Sequence, residues 1–163
     1  MAKTGKRTFR DSVDMYASLC QQIAARKFAP VYLLMGEESY FIDLLSSLLS
    51  ESILNEAERA FGQITLYGKE SEAGAIINFC RQVPMMGAYQ VVIVKEAQNI
   101  RDFENLLPYI DHLQPTTILV FLYKNKKPDK RKGIFKKLSS SSHCIYFESA
   151  KLYDNKIPDW IIS

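Results

Sequence analysis

The stretch PVYLLMGEESYFID, Pro30 to Asp43, decides the fold. Pro30 ends any helix before it, because proline lacks an amide hydrogen and disfavours a helical residue on its N-terminal side. Val31 to Met35 is an unbroken apolar run, as expected of a short strand covered on both faces, and Gly36 stops it. After Glu37 and Glu38, Ser39 is placed to cap a helix. Its apolar positions, Phe41, Leu44, Leu45, Leu48, Leu49 and Ile53, recur every three or four residues and extend less regularly to Ala57. A buried strand, a short loop and an amphipathic helix open a βαβ unit.

The same alternation extends outward from this stretch. Upstream, Thr8 can cap a helix in which Phe9, Val13, Tyr16, Cys20, Ile23 and Ala24 share one face, running to about Lys27. Downstream, strands are expected at Gln63–Tyr67, Gln90–Val94, Thr117–Tyr123 and Cys144–Phe147. Helices are expected at Ser71–Arg81, Asp102–Leu113 and Asp129–Leu138. Five strands interleaved with helices, several lacking polar alternation, predict a three-layer α/β fold around a parallel five-stranded sheet. The organisation read from the sequence is a basic leader and helix at 1–29, an α/β domain at 30–150, and the start of a truncated second domain at 151–163.

At 163 residues, 47% hydrophobic and 24% charged, the chain matches an ordinary globular domain and not a disordered or fibrous one. The longest uncharged stretch, Gln82 to Val94, falls well short of the roughly 20 apolar residues that cross a bilayer, and no secretory signal is present, so a cytoplasmic protein is expected. Cys20, Cys80 and Cys144 have no paired spacing and read as reduced, mostly buried thiols. His143 beside Cys144 reads as strand packing, and no metal site is expected.

The formal charge of +3 conceals an asymmetry. Lys124 to Lys137 holds eight basic residues, among them Lys127, Lys130, Arg131 and Lys132, against the single acid Asp129. The first ten residues add Lys3, Lys6, Arg7 and Arg10, leaving the body of the chain acidic. Such a spur reads either as a solvated helix face or as a contact for a polyanionic partner, which makes an α/β nucleic-acid-binding domain one candidate function.

In an open parallel sheet, chemistry sits at the carboxyl ends of the strands. A nucleotide-binding P-loop following the first strand would place glycine, lysine and serine or threonine at positions 41, 42 and 43. The loop Gly36, Glu37, Glu38 leads instead to Phe41, Ile42 and Asp43, which supply neither a glycine cradle nor a lysine, while the two glutamates repel a triphosphate. The third strand ends in Lys95 and Glu96, so the aspartate that would hold magnesium or accept a phosphoryl group is missing. No nucleophile triad and no set of metal-binding carboxylates emerges.

Taken together, Pro30–Ile42, Val91–Lys95, Thr117–Phe121 and the run Lys127, Pro128, Asp129, Lys130, Arg131, Lys132 resemble the delta subunit of bacterial DNA polymerase III, a clamp-loader subunit. The resemblance spans about residues 28 to 163. It implies a P-loop-NTPase-like fold of the AAA+ superfamily with a degenerate nucleotide site, no cofactor, and a non-catalytic role inside a DNA-directed DNA polymerase assembly. It implies as partners the sliding clamp, other clamp-loader subunits and DNA. It also implies that a pair of large apolar residues on a turn before the third strand holds the clamp. Here that turn reads Val83, Pro84, Met85, Met86, Gly87, Ala88, Tyr89, making Met85 and Met86 the pair, with Val83, Pro84 and Tyr89 beside them. Pro84 and Gly87 favour a tight turn that presents both thioethers, side chains suited to an adaptable contact. Lys127, Lys130, Arg131 and Lys132 would face DNA or a neighbouring subunit.

Overall fold

The computed structural model describes residues 9–124 and 132–149. Five strands form one parallel sheet in the order β2-β3-β4-β1-β5: β1 Val31–Gly36, β2 Gln63–Tyr67, β3 Gln90–Lys95, β4 Thr117–Lys124 and β5 Cys144–Ser149. The most apolar runs in the sequence, β1 and β4, lie side by side in the middle, with Leu33 opposite Phe121. Each is paired on both edges and covered on both faces, which explains why neither shows polar alternation.

Alternate residues of the strands feed two cores. Leu33, Met35, Val92, Val94, Leu119 and Phe121 face α4 (Ala73–Cys80), α5 (Leu107–Asp111) and α6 (Gly133–Ser140). Tyr32, Leu34, Ile93, Val120, Leu122 and Phe147 face α1 (Phe9–Ala24) and α2 (Ser39–Ile53). The connection from β1 to β2 crosses the sheet one way over the α1/α2 face. Those from β2 to β5 step back over the other, as right-handed crossovers require.

The structure corrects several boundaries. Ser39 is the first residue of α2 and not its cap; Glu38 occupies the cap position in extended backbone, without a side-chain capping bond. Leu44 turns outward and Ile42 inward, so the stripe of α2 is Phe41, Ile42, Leu45, Leu49 and Ile53. Ala57 does not continue this helix. It belongs to a separate one, α3 (Glu56–Gly62), started by a reciprocal capping box between Asn55 and Glu58. The helix expected over Asp102–Leu113 is a 3-10 turn at Phe103–Leu106 followed by α5, with Pro108 in the first turn of the latter. The first helix stops at Ala24, because Arg26 enters the left-handed region at φ 57. Thr8, most of the expected Asp129–Leu138 helix start, and segment 151–163 lie outside the described residues. His143 is exposed, while Cys144 is buried beside it.

Candidate functional site

The parallel sheet has two rims, and each carries one of the features singled out in the sequence. At the carboxyl rim, Gly36 ends β1 at φ +135, pressed so closely against Ser149 at the end of β5 that a Cβ would collide with its hydroxyl and backbone. The Ser149 hydroxyl donates to the Glu38 carbonyl at 2.6 Å, tying the loop after β1 to the last strand. Phe41 and Ile42, where a phosphate-binding loop would carry glycine and lysine, are both buried, Ile42 completely. The Phe41 ring packs on Tyr16 and Phe147 at 5.1 and 6.4 Å between centroids. Asp43 turns outward to an ion pair with Lys124 at 2.5 Å, and Gln98 accepts the Lys124 amide. The loop is therefore a packed, clasped corner with its own counter-charge.

A groove of about 620 Å³ lies farther along this rim, between Lys69, Glu70, Ser71, Glu72, Arg101 and Asp102. Its charges are of both signs, and Asp102 Oδ1 is occupied in accepting the Ala73 amide at the start of α4. Among the described residues no cluster of histidine, cysteine or carboxylate side chains has the makings of a metal site. The cysteines are free thiols, and burial pushes Cys80 up to about 12 and raises Cys144. Neither is an activated nucleophile.

The amino rim carries the turn between α4 and β3. Its base is held by a polar lattice. Thr117 Oγ1 donates to the Cys80 carbonyl at 2.7 Å and accepts from Gln90 Nε2 at 3.1 Å, while Gln90 Nε2 also reaches the Phe79 carbonyl at 2.6 Å. The last carbonyls of α4, which no helical amide can satisfy, are thus taken up by the first residues of β3 and β4. Arg81 closes the same corner, donating to the His112 carbonyl and lying over the Tyr109 ring at 4.7 Å.

From this base the turn projects outward. Met85 is 85% exposed, Val83 70% and Met86 43%, whereas Pro84 is half-buried. Gly87 adopts φ +78, and a Cβ there would strike the Glu58 carboxylate of α3. Tyr89 differs from its neighbours: it is half-buried, set edge-on to Phe28 with centroids 5.9 Å apart, and Arg26 lies over the other ring of that pair at 5.1 Å. It anchors the end of the turn and presents little free surface. The helix α3 borders the turn and is itself pinned. Arg59 donates to the Leu54 carbonyl at 2.8 Å and Arg26 to the Ser52 carbonyl at 2.7 Å, taking up carbonyls at the end of α2 that no helical amide satisfies.

Of the basic residues singled out in the sequence, Lys132 is exposed at the cap of α6. Lys127, Lys130 and Arg131 lie outside the described residues. One apolar side chain at the amino rim has no counterpart in the sequence reading: Phe61 on α3, 64% exposed. No periodicity marks it, since it lies between the helix expected to reach Ala57 and the strand expected from Gln63.

Comparison with known proteins gives this arrangement its context. Residues 32–148 match the family model described as DNA polymerase III, delta subunit. The DNA polymerase III subunit delta of Bacillus subtilis (strain 168) is 24% identical over 144 residues, an alignment covering 82% of this chain and 41% of that protein. The solved Bacillus subtilis DNA clamp loader delta protein (YqeN) superimposes with a TM-score of 0.76 at 24% identity, over 85% of this chain and 43% of that one. A DNA polymerase III gamma subunit-related protein of Thermotoga maritima matches with a TM-score of 0.55 at 15% identity, over 86% of this chain and 46% of that one. The chain spans less than half the length of these relatives. The fold they share with this chain is the α/β fold built on the five-stranded parallel sheet described above.

Proposed function

The chain belongs to the DNA polymerase III delta subunit family, and from that premise we propose that it is a clamp-loader component that grips the sliding clamp through Met85 and Met86 without binding nucleotide or catalysing a step of its own. The observation that carries this reading is the exposed methionine pair on a turn whose base is fixed by Thr117, Gln90 and Tyr89. A contact surface that is ordered before binding loses less entropy on association. Two methionine side chains buried in a partner stabilise the complex by up to roughly 3–6 kcal/mol before association costs. The buried Phe41 and Ile42 and the Ser149 clasp support the absence of a nucleotide site.

Other clamp-loader subunits and DNA are the further partners in this reading, with Lys127, Lys130, Arg131 and Lys132 as the contact segment. If about four of these charges meet phosphates, log affinity for duplex DNA falls with log salt at a slope of roughly −3.6.

Co-elution with the sliding clamp of the same organism tests the grip. Binding should be lost in the double variant Met85→Ser, Met86→Ser and retained on charge reversal at Lys130, Arg131 and Lys132. The opposite pattern would favour a nucleic-acid-binding module. Saturable ATP–magnesium binding by calorimetry would overturn the lost site.

A further inference from the structure

We propose that Phe61 is a third anchor of the clamp-gripping surface, supplying from a neighbouring element the aromatic contact that the methionine pair lacks. This inference rests on the clamp-gripping role given to Met85 and Met86 above.

Large apolar side chains exposed among the described residues are few: Tyr40, Leu44, Phe61, Tyr67, Val83, Met85 and Met86. Tyr40 and Leu44 lie on α2 and Tyr67 closes β2. The other four, Phe61, Val83, Met85 and Met86, all come from segments that lead into the amino rim of the sheet, α3 into β2 and the turn into β3. The register sets these entries side by side, because Gln63 pairs with Val91. Two contacts join the segments directly. The Glu58 side chain lies on Gly87 at the tip of the turn, and Gly62 is close enough to the Tyr89 carbonyl that a Cβ would stand 3.5 Å from it. Phe61 sits one residue before Gly62 and one helical turn after Glu58, which places it on the stretch of α3 that borders the turn.

Gly62 is the one buried residue of α3, and Phe61 at 64% exposure contributes little to the core of its own chain. It is nonetheless held in place, since the Asn55–Glu58 box fixes the start of the helix and Arg59 ties it to the end of α2. An exposed aromatic on a pinned helix that borders two exposed thioethers, with Glu58 between the two segments, has the make-up of a contact surface: an apolar centre with a polar edge. Aromatic side chains dominate such centres because they present large area at the cost of only two torsions. The occupant is the clamp, on continuity with the methionine turn.

Surface plasmon resonance of the chain against immobilised clamp tests this, with Phe61→Ala, Phe61→Tyr and the Met85→Ser, Met86→Ser variant measured in parallel. Phe61→Ala should weaken binding about tenfold or more with an unchanged melting temperature, and Phe61→Tyr should restore most of it. Wild-type affinity in Phe61→Ala, while the methionine variant no longer binds, overturns the role of Phe61 and leaves the methionine grip intact. Undiminished binding by the methionine variant overturns the grip itself. Sedimentation adds one more arm: a self-associated species that dissolves on Phe61→Ala would make a second copy of this chain the occupant and overturn the assignment to the clamp.

Discussion

The buried hydroxyl of Thr117 donates to the Cys80 carbonyl at 2.7 Å, joining the start of β4 to the end of α4 across 37 residues of sequence. This bond and the one it accepts from Gln90 fix the level from which the methionine turn departs. Thr117→Val preserves shape and strand preference while removing the hydroxyl. It should cost roughly 1–3 kcal/mol in urea denaturation, the usual penalty for an orphaned buried carbonyl. Clamp affinity should fall with it, because the turn loses its fixed base.

Gly87 offers a sharper test of the turn. At φ +78 any other residue carries backbone strain of roughly 1–2 kcal/mol, and here a Cβ also meets Glu58. Gly87→Ala should therefore weaken clamp binding and lower the melting temperature. Adding Glu58→Ala removes the collision but not the strain, and it also takes away the Glu58 half of the Asn55–Glu58 capping box, so recovery of affinity, measured against Glu58→Ala alone, should be partial. Full recovery would show that the conformation of Gly87 has no part in the site.

The clasped corner at the other rim predicts that nucleotide binding is not restored by writing in a single motif residue. Ile42 is fully buried, and Ile42→Lys would place a charge in the α1/α2 core. The expected outcome is a loss of roughly 3 kcal/mol or more with no gain in ATP binding, read by denaturation and calorimetry on the same sample. The surface pair Asp43–Lys124 is a weaker determinant. Asp43→Asn should change stability by less than about 1 kcal/mol, given the exposure of the carboxylate.

Alkaline pH should unfold the chain through its buried acids. Burial pushes Cys80 from 9.0 and Tyr16 from 10.0 up to about 12 each, and raises Tyr109, Tyr32, Tyr123 and Cys144 in the same direction. Each group charges only on losing its proton, and the unfolded chain loses it first. The stability from these groups is whole below about pH 9 and disappears as pH climbs toward 12. Denaturation midpoints taken from pH 7 to 11 should fall from about pH 9 upward. Cys80 and Cys144 should resist iodoacetamide at pH 8 until denaturant is added.

What the sequence revealed depended on how local the determinant was. The strands β1 and β4 were legible because continuous apolar runs ended by glycine or charge have few other uses, and their central pairing follows from that burial. The methionine turn was legible through Pro84 and Gly87. By contrast, the apolar period runs through Ala57 and merges α3 with α2, although Asn55 and Glu58 carry a capping box that marks a new start. The helix expected from Asp102 failed where Pro108 and the aromatic core around Phe103 favour a tighter turn; Phe103 stacks on Phe135 at 5.1 Å. Phe61 and the Ser149 clasp had no local signature. Both depend on which segments the register brings together, Gln63 beside Val91 and Gly36 beside Ser149.

The sheet order has a mechanical consequence. All five strands point the same way, so a pull entering at the methionine turn before β3 and leaving near Ser149 at the end of β5 runs diagonally, along the strands and through the β3–β4, β4–β1 and β1–β5 ladders between them. The rungs of neighbouring ladders then bear the load together in shear instead of parting one at a time. Along this path the turn is braced at its root, the middle strands are packed on both faces, and the far loop is buttoned to β5. A braced, close-packed sheet of this kind is expected to pass a displacement at one rim on to the other.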